Sequence, residues 1–213
     1  MNGVTGRMGT TQHLLRSIVT ESDQAGQALI DLGFLWQSRD LDRAGAYFQQ
    51  ALELAQGGDQ KLELHILNNM AQVYRATGDP RYFNAVKGSW DLFHNNWENI
   101  GGTTSIIEYV VCPPKSYPLH TKLEEMCGNS FWAFLNQRLH EFDPEEEKYV
   151  TEIEKSIYNA ALASLAGPHG FRYHQVLVHQ KEKPTEINTC CEGQGTRLVG
   201  SLPEHIYSIA SDG

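Results

Sequence analysis

The fold is decided by residues 61–93, which read KLELHILNNMAQVYRATGDPRYFNAVKGSWDLF. On both sides of the central TGDP, apolar residues recur every three or four positions, which is the spacing of one face of an amphipathic helix. Gly78 suits the position after a helix, Asp79 suits a helix N-cap and Pro80 suits the first helical position. The stretch therefore predicts two helices separated by a sharp break.

Helical spacing continues on either side of this stretch, through most of the chain up to Leu165. Helices are predicted to begin near Ser22 and near Asp40. The run Asp143-Pro144-Glu145-Glu146 predicts a further start, with the aspartate as cap, the proline as first helical residue and the last glutamate completing a capping box. A last amphipathic helix is expected from about Thr196 to Ile209.

Two stretches interrupt the pattern. Residues 99–121 contain Gly101-Gly102 and a β-branched run, and residues 167–189 contain the short apolar segment Val176-Leu177-Val178. Both are too irregular for a helix, and we expect long functional loops with short strands there. The predicted fold class is all-α, with about six to eight helices arranged in antiparallel hairpins.

The composition excludes several classes of partner. The 213 residues carry a formal net charge of −9 and no basic cluster, which argues against nucleic acid and anionic membranes. No apolar run approaches the ~20 residues of a membrane-spanning helix. The N-terminus lacks the basic and then apolar pattern of a signal peptide, so we expect a cytoplasmic protein with reduced thiols. The sequence leaves the oligomeric state open.

A weak internal repeat gives an alternative interpretation. Leu32-Gly33-x-x-Trp36, followed by Ala44, Phe48 and Ala51, resembles a tetratricopeptide repeat. A repeat array needs at least three units, and nothing after residue 95 continues the period. The alternative hypothesis is a helical-repeat interaction module without catalysis.

Four cysteines carry the first chemical information: Cys112, Cys127, Cys190 and Cys191. The adjacent pair has three interpretations: a coincidence without function, a strained vicinal disulfide or a metal site. Glu125 lies two residues before Cys127, and three thiolates with one carboxylate would complete a tetrahedral zinc shell. On spacing alone, the better interpretation is that Cys127 is a buried helix residue and Glu125 is a solvated one.

Four segments together resemble glycoside hydrolase family 127, the β-L-arabinofuranosidase family. The double-cysteine segment at 190–207 reads CCEGQGTRLVGSLPEHIY, and the Gly-Gly segment at 101–108 reads GGTTSIIE. Between them, Glu125-Met126-Cys127 resembles the family's Glu-x-Cys motif, and residues 153–162, IEKSIYNAAL, resemble the intervening helix. The segments occur in the family's order and cover about residues 60–213.

This resemblance implies part of an (α/α)6 toroid and a retaining glycosidase. Glu125, Cys127, Cys190 and Cys191 would be the ligands of a Zn²⁺ cofactor. Cys190 would be the nucleophile in place of the usual carboxylate, and Glu108 would be the general acid/base. The implied substrate is an arabinofuranoside or a related glycoside.

The resemblance also sets expectations about what surrounds this site. A complete toroid needs a longer chain, so residues 1–213 are expected to be a partial catalytic domain that lacks N-terminal helices and C-terminal β-domains. Glu192-Gly193-Gln194 follows the double cysteine where the family often has prolines and asparagine, which leaves the sugar open. His174 and His179 are candidates for sugar contacts, while Trp90, Trp97 and Trp132 are expected in the core. A non-catalytic carbohydrate-binding remnant is a third hypothesis.

Overall fold

A computed structural model defines residues 22–55, 60–102, 104, 113–115, 124–167, 170–175 and 189–207. The chain forms two compact units, Met1–Ser89 and Trp90–Gly213. Helices dominate both units, as predicted. None of the helices in the described ranges has the length and apolar character required to cross a bilayer.

The first unit is built of helical hairpins. Its elements are α1 (Ser22–Gln37), α2 (Leu41–Ala55), α3 (Gln60–Thr77) and the first half of α4 (Pro80–Trp97). Helix α2 packs against both α1 and α3. Buried side chains along α2 and α3, such as Phe48 and Leu64, form the core of the unit. Gly33 brings α1 close to α2, because a Cβ at this position would collide with the ring of Phe48.

The TGDP break is confirmed. Gly78 has a φ of +70°, which a residue with a side chain rarely adopts, and its N–H donates to the carbonyl of Tyr74 at 2.7 Å. The N–H of Arg81 donates to Oδ1 of Asp79 at 3.0 Å, so Asp79 caps α4. Helix α3 therefore ends, and α4 begins, where the sequence predicts.

The second unit contains the end of α4 and the elements that follow it. These are β1 (Glu124–Glu125), α5 (Met126–Phe142), α6 (Glu147–Lys155), a π-helix (Ser156–Ala161), a last α-helical turn (Leu162–Ser164), β2 (His174–Gln175), α7 (Cys190–Ser201) and a 3-10 turn (Leu202–Glu204). Helix α5 is central, because α6, the π-helix and α7 all pack against it. Strands β1 and β2 pair antiparallel, with Glu125 opposite His174.

Two predicted helix boundaries are wrong. The run Asp143-Pro144-Glu145-Glu146 forms a turn closed by the N–H of Glu146 and the carbonyl of Asp143 at 3.1 Å, and α6 begins only at Glu147. Pro144 suits the second position of a turn as well as the first position of a helix. The last helix was expected at 196–209, but α7 begins at Cys190 and becomes a 3-10 turn at Leu202. Pro203 explains the early end, because it cannot donate the backbone hydrogen bond that an α-helix needs.

Candidate metal and catalytic site

Three sulfur atoms converge in the second unit. The Sγ atoms of Cys127, Cys190 and Cys191 all lie within 4.8 Å of one another. Cys127 Sγ lies 3.3 Å from Cys191 Sγ. Residues separated by more than sixty positions thus form one cluster that could hold a metal ion.

The cluster lies at the N-termini of two helices. Cys127 is the second residue of α5, and Cys190 and Cys191 are the first two residues of α7. Thr189 caps α7, since its hydroxyl accepts a hydrogen bond from the N–H of Glu192 at 3.3 Å. Helix N-termini carry partial positive charge, so two helix dipoles stabilise negative charge on this cluster.

Glu125 completes the surroundings of the sulfurs. It immediately precedes α5, and the pairing of β1 with β2 fixes its backbone opposite His174. Its side chain is fully buried, and its Oε1 lies 3.9 Å from Cys191 Sγ. A carboxylate oxygen therefore lies beside the Cys191 thiol, and Glu125 is buried rather than solvated.

The distances suit a tetrahedral metal. Zinc–sulfur bonds of about 2.3 Å place two sulfur ligands of a tetrahedral zinc about 3.8 Å apart. The distance between the Sγ atoms of Cys127 and Cys191 is 3.3 Å, slightly below that value. The upper limit for the sulfur–sulfur distances in the cluster is 4.8 Å, above it. Small side-chain adjustments would bring the sulfurs to equal distances from one ion.

The three cysteines differ in their access to solvent. Cys127 and Cys191 are buried, whereas Cys190 is exposed. A reactant arriving from solvent can therefore reach the sulfur of Cys190 and not the other two. This asymmetry distinguishes two buried thiols from one that is accessible to solvent.

A glycine contact holds α7 in place. The buried ring of Phe171 packs directly against Gly195, where any Cβ would collide with it. Phe171 itself is paired with Leu165 through an isolated β-bridge. The loop before β2 therefore fixes the helix that carries the double cysteine.

The Gly-Gly segment is described only at its start. Gly101, Gly102 and Thr104 have defined positions, but Glu108 lies outside the described residues. Cys112 and His179 also lie outside them. The structure thus brings together Cys127, Cys190 and Cys191, places Glu125 beside Cys191, and does not report on the predicted acid/base.

The predicted core role of the tryptophans is confirmed. Trp90, Trp97 and Trp132 are at most 8% exposed. The rings of Trp90 and Trp132 stack at 5.7 Å, and Nε1 of Trp90 donates to Oδ1 of Asn136 at 2.6 Å. They stabilise the second unit and are not available as a sugar platform.

A second polar cluster was not predicted from the sequence. It consists of His94, Glu98 and Glu152, whose donor atoms lie within 4.8 Å of one another. Nζ of Lys155 donates to Glu152 at 2.7 Å and to Glu98 at 3.1 Å, so an ammonium group already acts as the cation of this cluster. Burial raises the pKa of the Glu152 carboxyl, and its hydrogen bond with Glu98 raises it further. The sequence offers one signal for this cluster, the spacing His94-x-x-x-Glu98, which is common on helices.

Comparison with known proteins gives this geometry a family context. The sequence matches the model of the β-L-arabinofuranosidase GH127 catalytic domain over residues 31–204. That range includes the repeat-like pattern at residues 32–51, so those helices are part of the family's catalytic domain rather than of a separate repeat array. A search of curated proteins gave no significant match.

Several solved structures resemble the chain, among them two GH127 enzymes and a further glycoside hydrolase. A GH127 β-arabinofuranosidase shares 22% sequence identity with a TM-score of 0.67, over 87% of this chain and 33% of that one. A GH127 β-L-arabinofuranosidase from Geobacillus stearothermophilus T6 shares 17% identity with a TM-score of 0.64, over 89% of this chain and 38% of that one. A third protein, described as a glycoside hydrolase, shares 14% identity with a TM-score of 0.56, over 89% of this chain and 41% of that one.

These similarities establish the fold. GH127 enzymes have an (α/α)6 toroid, and the helices described above correspond to part of it, which confirms the predicted fold class. The chain spans about a third to two fifths of the length of these structures. Because the family model covers most of its residues, the chain belongs to the GH127 β-L-arabinofuranosidase catalytic-domain family.

Proposed function

We propose that this chain carries the active site of a retaining glycoside hydrolase that acts on β-L-arabinofuranosides or related glycosides. The observation that carries the proposal is the cluster of three cysteine sulfurs within 4.8 Å of one another, of which only that of Cys190 is exposed. A family match alone would not distinguish a catalytic domain from a binding remnant. The cluster adds a reactive group at an accessible position.

The donor set fits zinc best among common metals. Zinc accepts thiolate and carboxylate ligands in tetrahedral geometry, whereas magnesium and calcium prefer oxygen alone. Glu125, Cys127, Cys190 and Cys191 would hold the ion. When bound, Zn²⁺ would keep the cysteine ligands deprotonated at neutral pH.

The first chemical step belongs to Cys190 and Glu108. The Cys190 sulfur would attack the anomeric carbon, forming a C–S bond as the glycosidic C–O bond breaks. Glu108 would donate a proton to the departing oxygen, so that the aglycone leaves as a neutral alcohol. The product of this step is a thioglycosyl-enzyme, the counterpart of the glycosyl ester in carboxylate-based retaining enzymes.

The second step reverses these roles. The Glu108 carboxylate would take a proton from water, whose oxygen forms a bond to the anomeric carbon as the C–S bond breaks. The sugar leaves with its anomeric configuration retained, and both residues return to their starting protonation states. Cys127, Cys191 and Glu125 would hold the Cys190 sulfur in place throughout.

The first test measures metal and turnover together. The purified chain is expected to bind about one zinc per chain and to hydrolyse an aryl β-L-arabinofuranoside. Cys190→Ala removes the nucleophile and is expected to abolish turnover, while Cys112→Ala, which changes the cysteine outside the proposed ligand set, keeps it. Normal turnover by Cys190→Ala would refute the cysteine mechanism.

A second measurement separates an enzyme from a binding remnant. Glu108→Gln should allow the first step only with substrates that carry a good leaving group, and it should slow the second step. Intact mass spectrometry is then expected to show one pentosyl group added to the chain. Sugar binding by the wild-type chain, without hydrolysis and without such an adduct, would favour the remnant.

A further inference from the structure

The Gly101–Gly102 turn is held by contacts with Asn99 and by a bridge between its flanking residues. The N–H of Gly102 donates to the carbonyl of Asn99 at 2.9 Å, and the N–H of Gly101 donates to Oδ1 of the same residue at 2.8 Å. An isolated antiparallel bridge between Glu98 and Thr104 closes the turn, and Thr104 is fully buried. These contacts therefore define the positions of Gly101, Gly102 and Thr104.

The carbonyl groups of the turn face the π-helix. The hydroxyl of Ser156 donates to the carbonyl of Gly102 at 3.3 Å, and Nδ2 of Asn159 donates to the carbonyl of Gly101 at 2.9 Å. Gly102 has a φ of +80°, and a Cβ there would collide with the side chain of Lys155. Only glycine lets the turn approach the helix this closely.

Ser156 also contacts the helix of the sulfur cluster. Its carbonyl accepts a hydrogen bond from Nδ2 of Asn129 at 3.3 Å. Asn129 lies in the first turn of α5, two residues after Cys127. Both Ser156 and Asn129 are at most 1% exposed, so water does not compete for these bonds.

We propose that Ser156 is a positioning residue that fixes the Gly101–Gly102 turn relative to the first turn of α5, and hence relative to the cysteine cluster. Its hydroxyl binds the carbonyl of Gly102 in the turn, and its carbonyl binds Asn129 in α5. The proposal rests on the proposed function, in which the segment leaving Gly102 carries the acid/base Glu108 and α5 carries the ligand Cys127. The π-helix at this position fits such a role, because π-helical turns occur frequently at functional sites.

The chemistry explains why this distance matters. In a double displacement, the nucleophile and the acid/base must flank one anomeric carbon, and displacements of about 1 Å can reduce the rate by roughly a hundredfold. Two groups on separate segments keep such a distance only if the segments are tied together. Ser156 ties them through two bonds from a single residue.

The test compares two serines of the same helical segment. Ser156→Ala removes the hydroxyl that holds Gly102, whereas Ser164→Ala removes a similarly buried hydroxyl eight residues further along the chain. Amide hydrogen exchange of Gly101 and Gly102 is expected to accelerate roughly five- to tenfold in Ser156→Ala, the effect of losing one net hydrogen bond. Exchange in Ser164→Ala should match that of the wild type.

Turnover gives a second readout. In Ser156→Ala, kcat is expected to fall by roughly ten- to a hundredfold, with KM and bound zinc unchanged, since substrate and metal contacts stay in place. Asn129→Ala removes the hydrogen bond between α5 and the Ser156 carbonyl. This variant should lower kcat similarly without accelerating amide exchange at Gly101. A merely structural role would instead lower stability and zinc content together.

The two proposals fail in different ways. Unchanged exchange at Gly101 and Gly102 in folded Ser156→Ala would overturn the positioning role, whatever the activity. A kcat loss of the same size in Ser164→Ala would also overturn it. If the wild-type chain shows no hydrolysis, the proposed function fails, and the exchange arm alone still decides whether Ser156 fixes the turn.

Discussion

The two units of the chain bury different kinds of side chains. Among the described residues, the first unit buries three polar side chains, those of Gln60, Glu63 and Asn69, and the second buries ten. In the first unit, Asn69 bonds to the carbonyl of His65 on its own helix. In the second, the bonds of Asn129, Asn136 and Ser156 join separate segments.

This difference reflects the task of each unit. Apolar packing is non-directional and stabilises the first unit in proportion to the area it buries. Buried hydrogen bonds contribute less net stability but specify one arrangement of segments, because unpaired groups are costly. The unit that contains the cysteine cluster thus uses polar contacts to hold its segments in position, whereas the first unit depends mainly on apolar packing.

The largest expected effect concerns metal binding in the second unit. Cys191→Ser removes a fully buried sulfur from the centre of the cluster. Zinc affinity is expected to fall by more than roughly a hundredfold, since even residues that only support metal ligands contribute ten- to a hundredfold. Competition with a chromophoric chelator would measure this change.

Hydrogen exchange would locate the effect of the metal. Saturating zinc is expected to slow exchange in α5 and α7 of the wild-type chain, and to leave α2 and α3 unchanged. Cys191→Ser should lose this protection, and Cys112→Ser should keep it. Protection that spreads equally over both units would contradict the division drawn here.

The next prediction tests the apolar core of the first unit. Phe48 is fully buried, and Phe48→Ala is expected to lower the free energy of unfolding by about 3–5 kcal/mol through lost burial and a cavity. Phe34 offers a matched control, because it is 43% exposed and meets Phe48 edge to face at 5.8 Å. Phe34→Ala should cost about 1 kcal/mol, the value of such an aromatic pair.

Urea denaturation with and without zinc would check this prediction. The loss in Phe48→Ala is expected to be the same in both conditions, because Phe48 belongs to the unit without the cysteine cluster. A loss that depends on zinc would show that the two units do not unfold independently.

The sequence predicted some helix boundaries correctly and others wrongly, for local reasons that can be named. The helices around TGDP were predicted because glycine, aspartate and proline each have one suitable position there, and Asp79 and Gly78 occupy those positions. Asp143-Pro144 failed because a proline after an aspartate fits a turn equally well. The early start of α7 had a signal that was missed, since Thr189-Cys190-Cys191-Glu192 has the S/T-x-x-E pattern of a capping box.

The site was predictable only through a resemblance among distant motifs. Spacing alone left Cys127 and Cys191 unrelated, yet their sulfurs lie 3.3 Å apart. The contacts of Ser156 had no signal at all, because a serine in a helical pattern does not indicate which carbonyl its hydroxyl will meet. Long-range polar contacts depend on how segments are placed, and periodicity reports only on each segment by itself.

The smallest expected effect comes from the buried acid of the first unit. Burial raises the pKa of Glu63 from its ordinary 4.5 to about 7. The folded state therefore holds a proton that the unfolded state releases between pH 4.5 and 7, so stability is highest below pH 4.5 and falls as the pH rises to about 7. Glu63→Gln removes this loss and should raise the free energy of unfolding by up to about 3 kcal/mol at pH 8, with little change at pH 4.5. Urea denaturation at both pH values would measure the effect, with Glu53→Gln as the exposed control on α2. An equal gain at both pH values would contradict the prediction, because it would mean that the charge of Glu63 is not what lowers stability at high pH.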